Sequence, residues 1–237
     1  DKHAIADGIR RVGENIAPAL IPPGSIGQYQ SPKGLGFNPD EARRLLAEAG
    51  YPGGKGFITL DLLITKDGGH ELIAQTLAKD WQRILGINTT ISVQEVKVFR
   101  ERLKNKNYMI SRASWFGDYG DPTTFLEINR TGDGNNDRSY ASPRFDALLD
   151  QAARETNPTA RLRILEEAER LLVEEDLPIL PIFYYVNMYL FDASKLTGIS
   201  SHPRGIQLLY RADIFNDGKG TDKPLSLPPL KPGEPES

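Results

Sequence analysis

Stretches suited to strands alternate along this chain with stretches suited to helices, and that alternation limits the fold more than any other feature. Residues 57–65 (Phe-Ile-Thr-Leu-Asp-Leu-Leu-Ile-Thr) form a mostly apolar run of strand length. From His70 to Leu85, Ile73, Leu77, Trp81 and Ile84 recur at helical spacing, and Gly86 stands where a helix ends. Ile87 to Val93 is rich in β-branched residues and predicts the next strand. Val96, Phe99 and Leu103 then suit a short helix, followed by a strand that delivers Arg112. Strands separated by helices need crossover connections, so the sheet is at least partly parallel and the class is α/β.

Other elements carry clear end signals. Asn38 is a good N-cap, Pro39 suits the first helical position, and Glu41 completes a capping-box-like spacing. Ala42, Leu45, Leu46 and Ala49 make one apolar face, and Gly50 sits where a left-handed C-cap belongs. Further helices are expected at about 142–155 and 158–175, the second capped by Asn157 before Pro158, and a strand at 179–186. Between Asp222 and Ser237, Pro224, Pro228, Pro229, Pro232 and Pro235 prevent a helix or central strand, so an extended tail is expected. No internal repeat is visible.

Composition removes several function classes. A net charge of −3 over 237 residues argues against nucleic acid or an anionic membrane as the main partner. With no cysteine there is no disulfide framework, thiol nucleophile or Cys-ligated metal. His3, His70 and His202 are the only histidines and fall in separate elements, matching no helical metal pair. Gly53-Gly54-Lys55-Gly56 lacks the spacing of a phosphate-binding loop and precedes a strand. No run of about 18 apolar residues is present to span a membrane. No nucleophile arrangement accompanies Asp118 and Asp121, so neither catalysis, a metal nor a cofactor is expected.

The chemistry concentrates in residues 108–126, where an apolar-rich run ends in Arg112, Trp115 and Asp118, with Tyr119 after them and Asp121-Pro122 turning the chain. A carboxylate, a guanidinium and an indole within seven residues can hold a small zwitterion: they pair with its ammonium, grip its acid and cover its apolar atoms. The plainer possibility is that Arg112 and Asp118 pair with each other and Trp115 is core.

Arg112-x-x-Trp115-x-x-Asp118-Tyr119-x-Asp121-Pro122 resembles a segment of the extracytoplasmic solute-binding proteins of ABC transporters, in the peptide/nickel family (family 5). The likeness extends over about residues 1–210. Its blocks are Asp1-Lys2-His3-Ala4-Ile5, the Asn38-to-Pro52 helix, the leucine-rich strand with the His70 helix, and Arg161 to Leu172. The Leu177-Pro178-Ile179-Leu180-Pro181-Ile182 strand is the last. In that family the matching start lies deep inside the usual length, so a fragment of a longer exported protein is expected.

The resemblance implies a periplasmic or extracytoplasmic importer component without enzymatic activity, monomeric, that passes short peptides to a membrane permease. Residues 1–210 would be the carboxy-side lobe of a two-lobed fold, with mixed sheet flanked by helices, and 211–237 a Pro-rich tail. By resemblance Asp118 binds the ligand's α-ammonium, Arg112 and His70 face its carboxylate or a side-chain pocket, and Trp115 lines a wall; Tyr119 adjoins them. Many oligopeptide receptors carry Trp where this chain has Val96, which leaves less π-surface for long peptides. Nickel chelates, haem and oligosaccharides are alternative ligands within the family, and a scaffold without transport is the alternative outside it.

Overall fold

The computed structural model describes residues 1–66, 68–200 and 207–214. It divides into two compact units, Asp1–Val186 and Asn187–Ser237. In the second, β6 (Leu196–Thr197) pairs antiparallel with β7 (Asp213–Ile214). His202 and the Pro-rich stretch from Asp222 lie outside the described residues.

At the centre of the first unit is a three-stranded parallel sheet in the order β3-β2-β4. Its strands are β2 (Leu60–Thr65), β3 (Thr89–Gln94) and β4 (Ile110–Ser111). Helix α2 (His70–Leu85) crosses from β2 to β3, and α3 (Val96–Lys104) crosses from β3 towards β4. Leu62, Ile64 and Ala74 form the core beneath the sheet, with Leu77, Ile91 and Ile110 packed on it. The helical periodicity of Ile73, Leu77, Trp81 and Ile84 therefore turns the expected face inward: Ile73 is buried and the others are partly buried.

A larger core joins α4 (Thr123–Leu126), α5 (Pro143–Arg154) and α6 (Pro158–Arg170) to the segment around Ala19–Tyr29. Phe145, Leu149, Leu165 and Leu172 are almost wholly excluded from solvent there. Asn157 caps α6 through Ala160 N–H at 3.0 Å, and the helix runs on as a wider turn at Leu171–Glu175.

Helix α1 (Pro39–Glu48) starts as its sequence requires, with Asn38 Oδ1 accepting from Glu41 N–H at 3.1 Å. Its end is a Schellman arrangement: Tyr51 N–H donates to Leu46 and Gly50 N–H to Ala47, with Gly50 at φ 94°. Its apolar stripe is not core, however. No α1 residue is buried and Leu45 is exposed, because the helix lies at the rim of the unit.

Two strands are shorter than their composition predicts. Phe57 N–H is drawn into a turn with Gly54, so the run at 57–65 begins pairing only at Leu60. At 179–186 only β5 (Phe183–Tyr184) pairs, antiparallel to β1 (Asn15–Ile16). Pro178 and Pro181 supply no N–H for a longer ladder.

A buried carboxylate ties the two sequence ends of the helical core together. Glu169 on α6 accepts from Ile21 N–H and from the Tyr29 hydroxyl, both at 2.7 Å, and is 0% exposed. Burial lifts its carboxyl to about 7 against these hydrogen bonds, and neighbouring Glu166 adds to the rise. From its ordinary 4.5 up to about 7, the folded chain keeps a proton that the unfolded chain has released. Stability should therefore fall as pH rises through that window and level off above it, by about 3 kcal/mol in total. Glu169→Gln retains an acceptor for Ile21 and is expected to flatten this dependence. Denaturant unfolding at a series of pH values checks it.

Candidate ligand-binding site

In a parallel sheet all carboxyl ends point to one edge, and here that edge gathers three of the residues singled out from sequence. His70 opens α2 just beyond β2, Val96 opens α3 just beyond β3, and Arg112 follows β4 directly. Register places Thr65 beside Gln94, and Arg112 N–H donates to Leu63 C=O at 3.0 Å, so the three exits are neighbours. The His70 ring is held by a 2.7 Å hydrogen bond between Nδ1 and Thr65 Oγ1. Val96 is exposed, without a core role.

From this edge the chain runs as a loop onto the helical core. Trp115 packs partly buried against that core, and its indole Nε1–H donates to Thr124 C=O at 2.8 Å. Asp118 N–H donates to Thr124 Oγ1, also at 2.8 Å, so one buried threonine fixes the loop at two points. Gly117 lets the loop pass closely: a Cβ there would lie 3.0 Å from the Phe125 ring, which would have to shift by a few tenths of an ångström. Asp121 then clasps Arg161 of α6 in two hydrogen bonds of 2.7 and 2.9 Å. Burial opposes ionisation of Asp121, but bonds from Arg161 and Thr123 outweigh it and hold the carboxyl below its usual range.

Arg112 and Asp118 do not neutralise each other. Arg112 donates from Nη2 to the Tyr185 hydroxyl, and its guanidinium carbon lies 5.7 Å from the centre of that ring. Among the described residues it has no carboxylate partner. Burial, and secondarily the charge of Arg10, pull its guanidinium below the ordinary value, with Glu14 opposing them. Asp118 is exposed, and among the described residues its carboxylate has no hydrogen-bond or ion-pair partner. Tyr119 is exposed as well, its hydroxyl accepting from Thr123 Oγ1 at 3.3 Å. Trp115 alone among the chosen residues takes on part of the plainer core role.

Sequence reasoning passes over several neighbours. Arg10 makes a two-pronged pair with buried Glu14, both bonds at 2.8 Å, and also donates to Gly68 C=O beside His70. Phe116 and Tyr185 stack near Arg112. The aromatic run Phe183-Tyr184-Tyr185 was the signal available for the last of these. A cavity of about 270 Å³ lies elsewhere, lined by residues such as Lys104, Asp133 and Tyr140, and none of the six chosen residues lines it. No cluster suited to a metal occurs among the described residues, and none of their helices is long and apolar enough to cross a membrane.

Residues 1–137 match the sequence profile described as "Bacterial extracellular solute-binding proteins, family 5 Middle". The chain belongs to this family. It is 32% identical over 192 residues to the periplasmic oligopeptide-binding protein OppA of Salmonella typhimurium, covering 79% of this chain and 35% of that protein. Heme-binding protein A of Haemophilus influenzae is 27% identical over 224 residues, covering 92% of this chain and 40% of its own length. In structure, the Escherichia coli murein tripeptide binding protein MppA superposes with a TM-score of 0.77 at 28% identity, covering 92% of this chain and 43% of that one. The chain thus spans 35–43% of the length of these relatives, and its α/β architecture is that of the periplasmic binding proteins.

Arg161→Ala should test how the loop is held. Losing a half-buried, two-pronged partner leaves Asp121 unpaired, and a stability loss of about 1–3 kcal/mol is expected. Denaturant melts of wild type and variant measure it, and a change below about 0.5 kcal/mol would show that Thr124 suffices to hold the loop.

Proposed function

We propose that residues 1–210 form one lobe of an extracytoplasmic receptor that binds short peptides between two lobes and delivers them to an ABC permease. The observation that carries this reading is the pair of opposite charges on one loop, Arg112 and Asp118, that leave each other unpaired. A partly buried cation with no carboxylate in ion-pair contact and an exposed anion without a donor suit a ligand bearing both complements. A peptide has them, in its carboxylate and α-ammonium.

On this reading Asp118 takes the α-ammonium, and Arg112 takes a carboxylate with help from His70. Trp115 and Tyr119 line the wall, and Val96 leaves room where a larger side chain would close the site. Closure of a second lobe would desolvate these groups and strengthen each contact. The receptor would act as a monomer outside the cytoplasmic membrane and perform no chemistry on its ligand. The relative named for haem supports a second reading, a non-peptide ligand at the same edge. That ligand would need no charge at position 118.

Asp118→Asn, made in the two-lobed receptor, separates these readings. If Asp118 holds an ammonium in a closed site, the substitution should cost about 2–5 kcal/mol, at least tenfold in affinity. N-acetylation of the peptide should cost wild type a similar amount, and the two changes should be far from additive because they delete one interaction. Titration calorimetry of the four combinations measures this. An unchanged preference for free over acetylated peptide in the variant would remove Asp118 from ammonium recognition.

A further inference from the structure

Between Arg112 and Asp118 the loop carries a large apolar side chain that stays mostly exposed. Phe116 is 68% exposed, although its neighbour Trp115 packs on the helical core. One face of its ring is stacked on Tyr185, with centroids 5.6 Å apart and planes 16° from parallel. Tyr185 is in turn fixed from two sides. Phe183 meets it edge-on at 5.4 Å, and Arg112 donates to its hydroxyl while lying over its ring. Behind them Arg10, locked to Glu14, covers Phe183 at 5.5 Å. The outer aromatic pair is therefore presented on a braced support.

We infer that Phe116 and Tyr185 form a selectivity wall that favours peptides carrying an aromatic side chain. The inference rests on the peptide reading above and goes beyond it by naming the side-chain class. Its occupant follows from what flanks the wall in sequence and space. Arg112 binds Tyr185 directly, and Asp118 lies two residues past Phe116, so a ligand holding both charges runs alongside the exposed rings. An offset or edge-on third ring completes the cluster with the geometry its members already adopt. The Asp118 N–H to Thr124 hydrogen bond holds the backbone two residues past Phe116. Trp115 is turned to the core through its hydrogen bond to Thr124 and cannot supply this surface alone.

The test compares trialanine with three tripeptides in which phenylalanine replaces one alanine at each position in turn, titrated into the two-lobed receptor. The readout is the ratio of affinities, phenylalanine peptide over trialanine. In wild type, one position should show a ratio of roughly tenfold, from ring stacking and apolar burial together. Phe116→Ala should reduce that ratio to about twofold, and Phe116→Tyr, which keeps the ring, should restore it. A ratio that is the same in wild type and Phe116→Ala overturns the inference. So does a lowered melting temperature with an unchanged ratio, which would mean that the rest of the receptor covers the ring. Equal binding of all four peptides overturns the inference while leaving the peptide reading intact, whereas failure of all four to bind removes both.

Discussion

Parallel pairing of β2 with β3 and β4 is the constraint from which the candidate site follows. Parallel neighbours cannot be joined by tight turns, so α2 and α3 must carry the chain back each time. Every strand then releases its chain at the same edge, and the residue types that follow each strand meet there whatever their separation in sequence. His70, Val96 and Arg112 come from three such exits. The apolar demands of the sheet are met by Leu62, Ile64 and Ala74 further in, which leaves the edge free to carry polar chemistry.

Holding that edge rigid falls to groups other than the two charges proposed to meet a ligand. The loop after β4 is pinned through Thr124, through the indole N–H of Trp115 and through the Asp121–Arg161 clasp. Each contact uses a backbone group or a side chain that is then spent. Asp118 contributes only its backbone N–H to the anchoring, and Arg112 contributes its backbone N–H and one bond to a neutral hydroxyl. The two charges thus stay held in place without being paired to each other. A partly buried guanidinium with no anion in direct contact costs stability, and a bound carboxylate would recover part of that cost on binding.

Much of this was legible in the sequence, for reasons that are local. The caps at Asn38 and Asn157, the bounds of α2 and the alternation of strand and helix depend on residues within a few positions of one another. The misreadings arose where a distant or steric factor decided. The stripe on α1 has the right period but lies at the rim, and the strand near Ile179 is cut short by its prolines. Among the site residues, Asp118 and Asp121 look alike as sequence. Only the fold brings Arg161, forty residues on, to Asp121 and leaves Asp118 without it. Tyr185, 73 residues after Arg112, could not have been paired with it by spacing.

A separation between anchoring and the proposed recognition groups would let one scaffold serve different ligands. The relatives named for oligopeptides and for haem match this chain's sequence across most of its length. Anchors such as Thr124 act through backbone and buried atoms, so they constrain where the loop lies rather than what it presents. Exposed positions such as Val96, Phe116 and Tyr119 can change without disturbing those anchors, because none of them contributes to either core cluster. On the proposed reading, substitution at such positions would alter selectivity at small cost in stability, whereas substitution at Thr124 would shift the loop that carries Trp115 and Asp118. On that reading selectivity would vary at the exposed positions of the sheet edge and its loop, while the core fixes only their place.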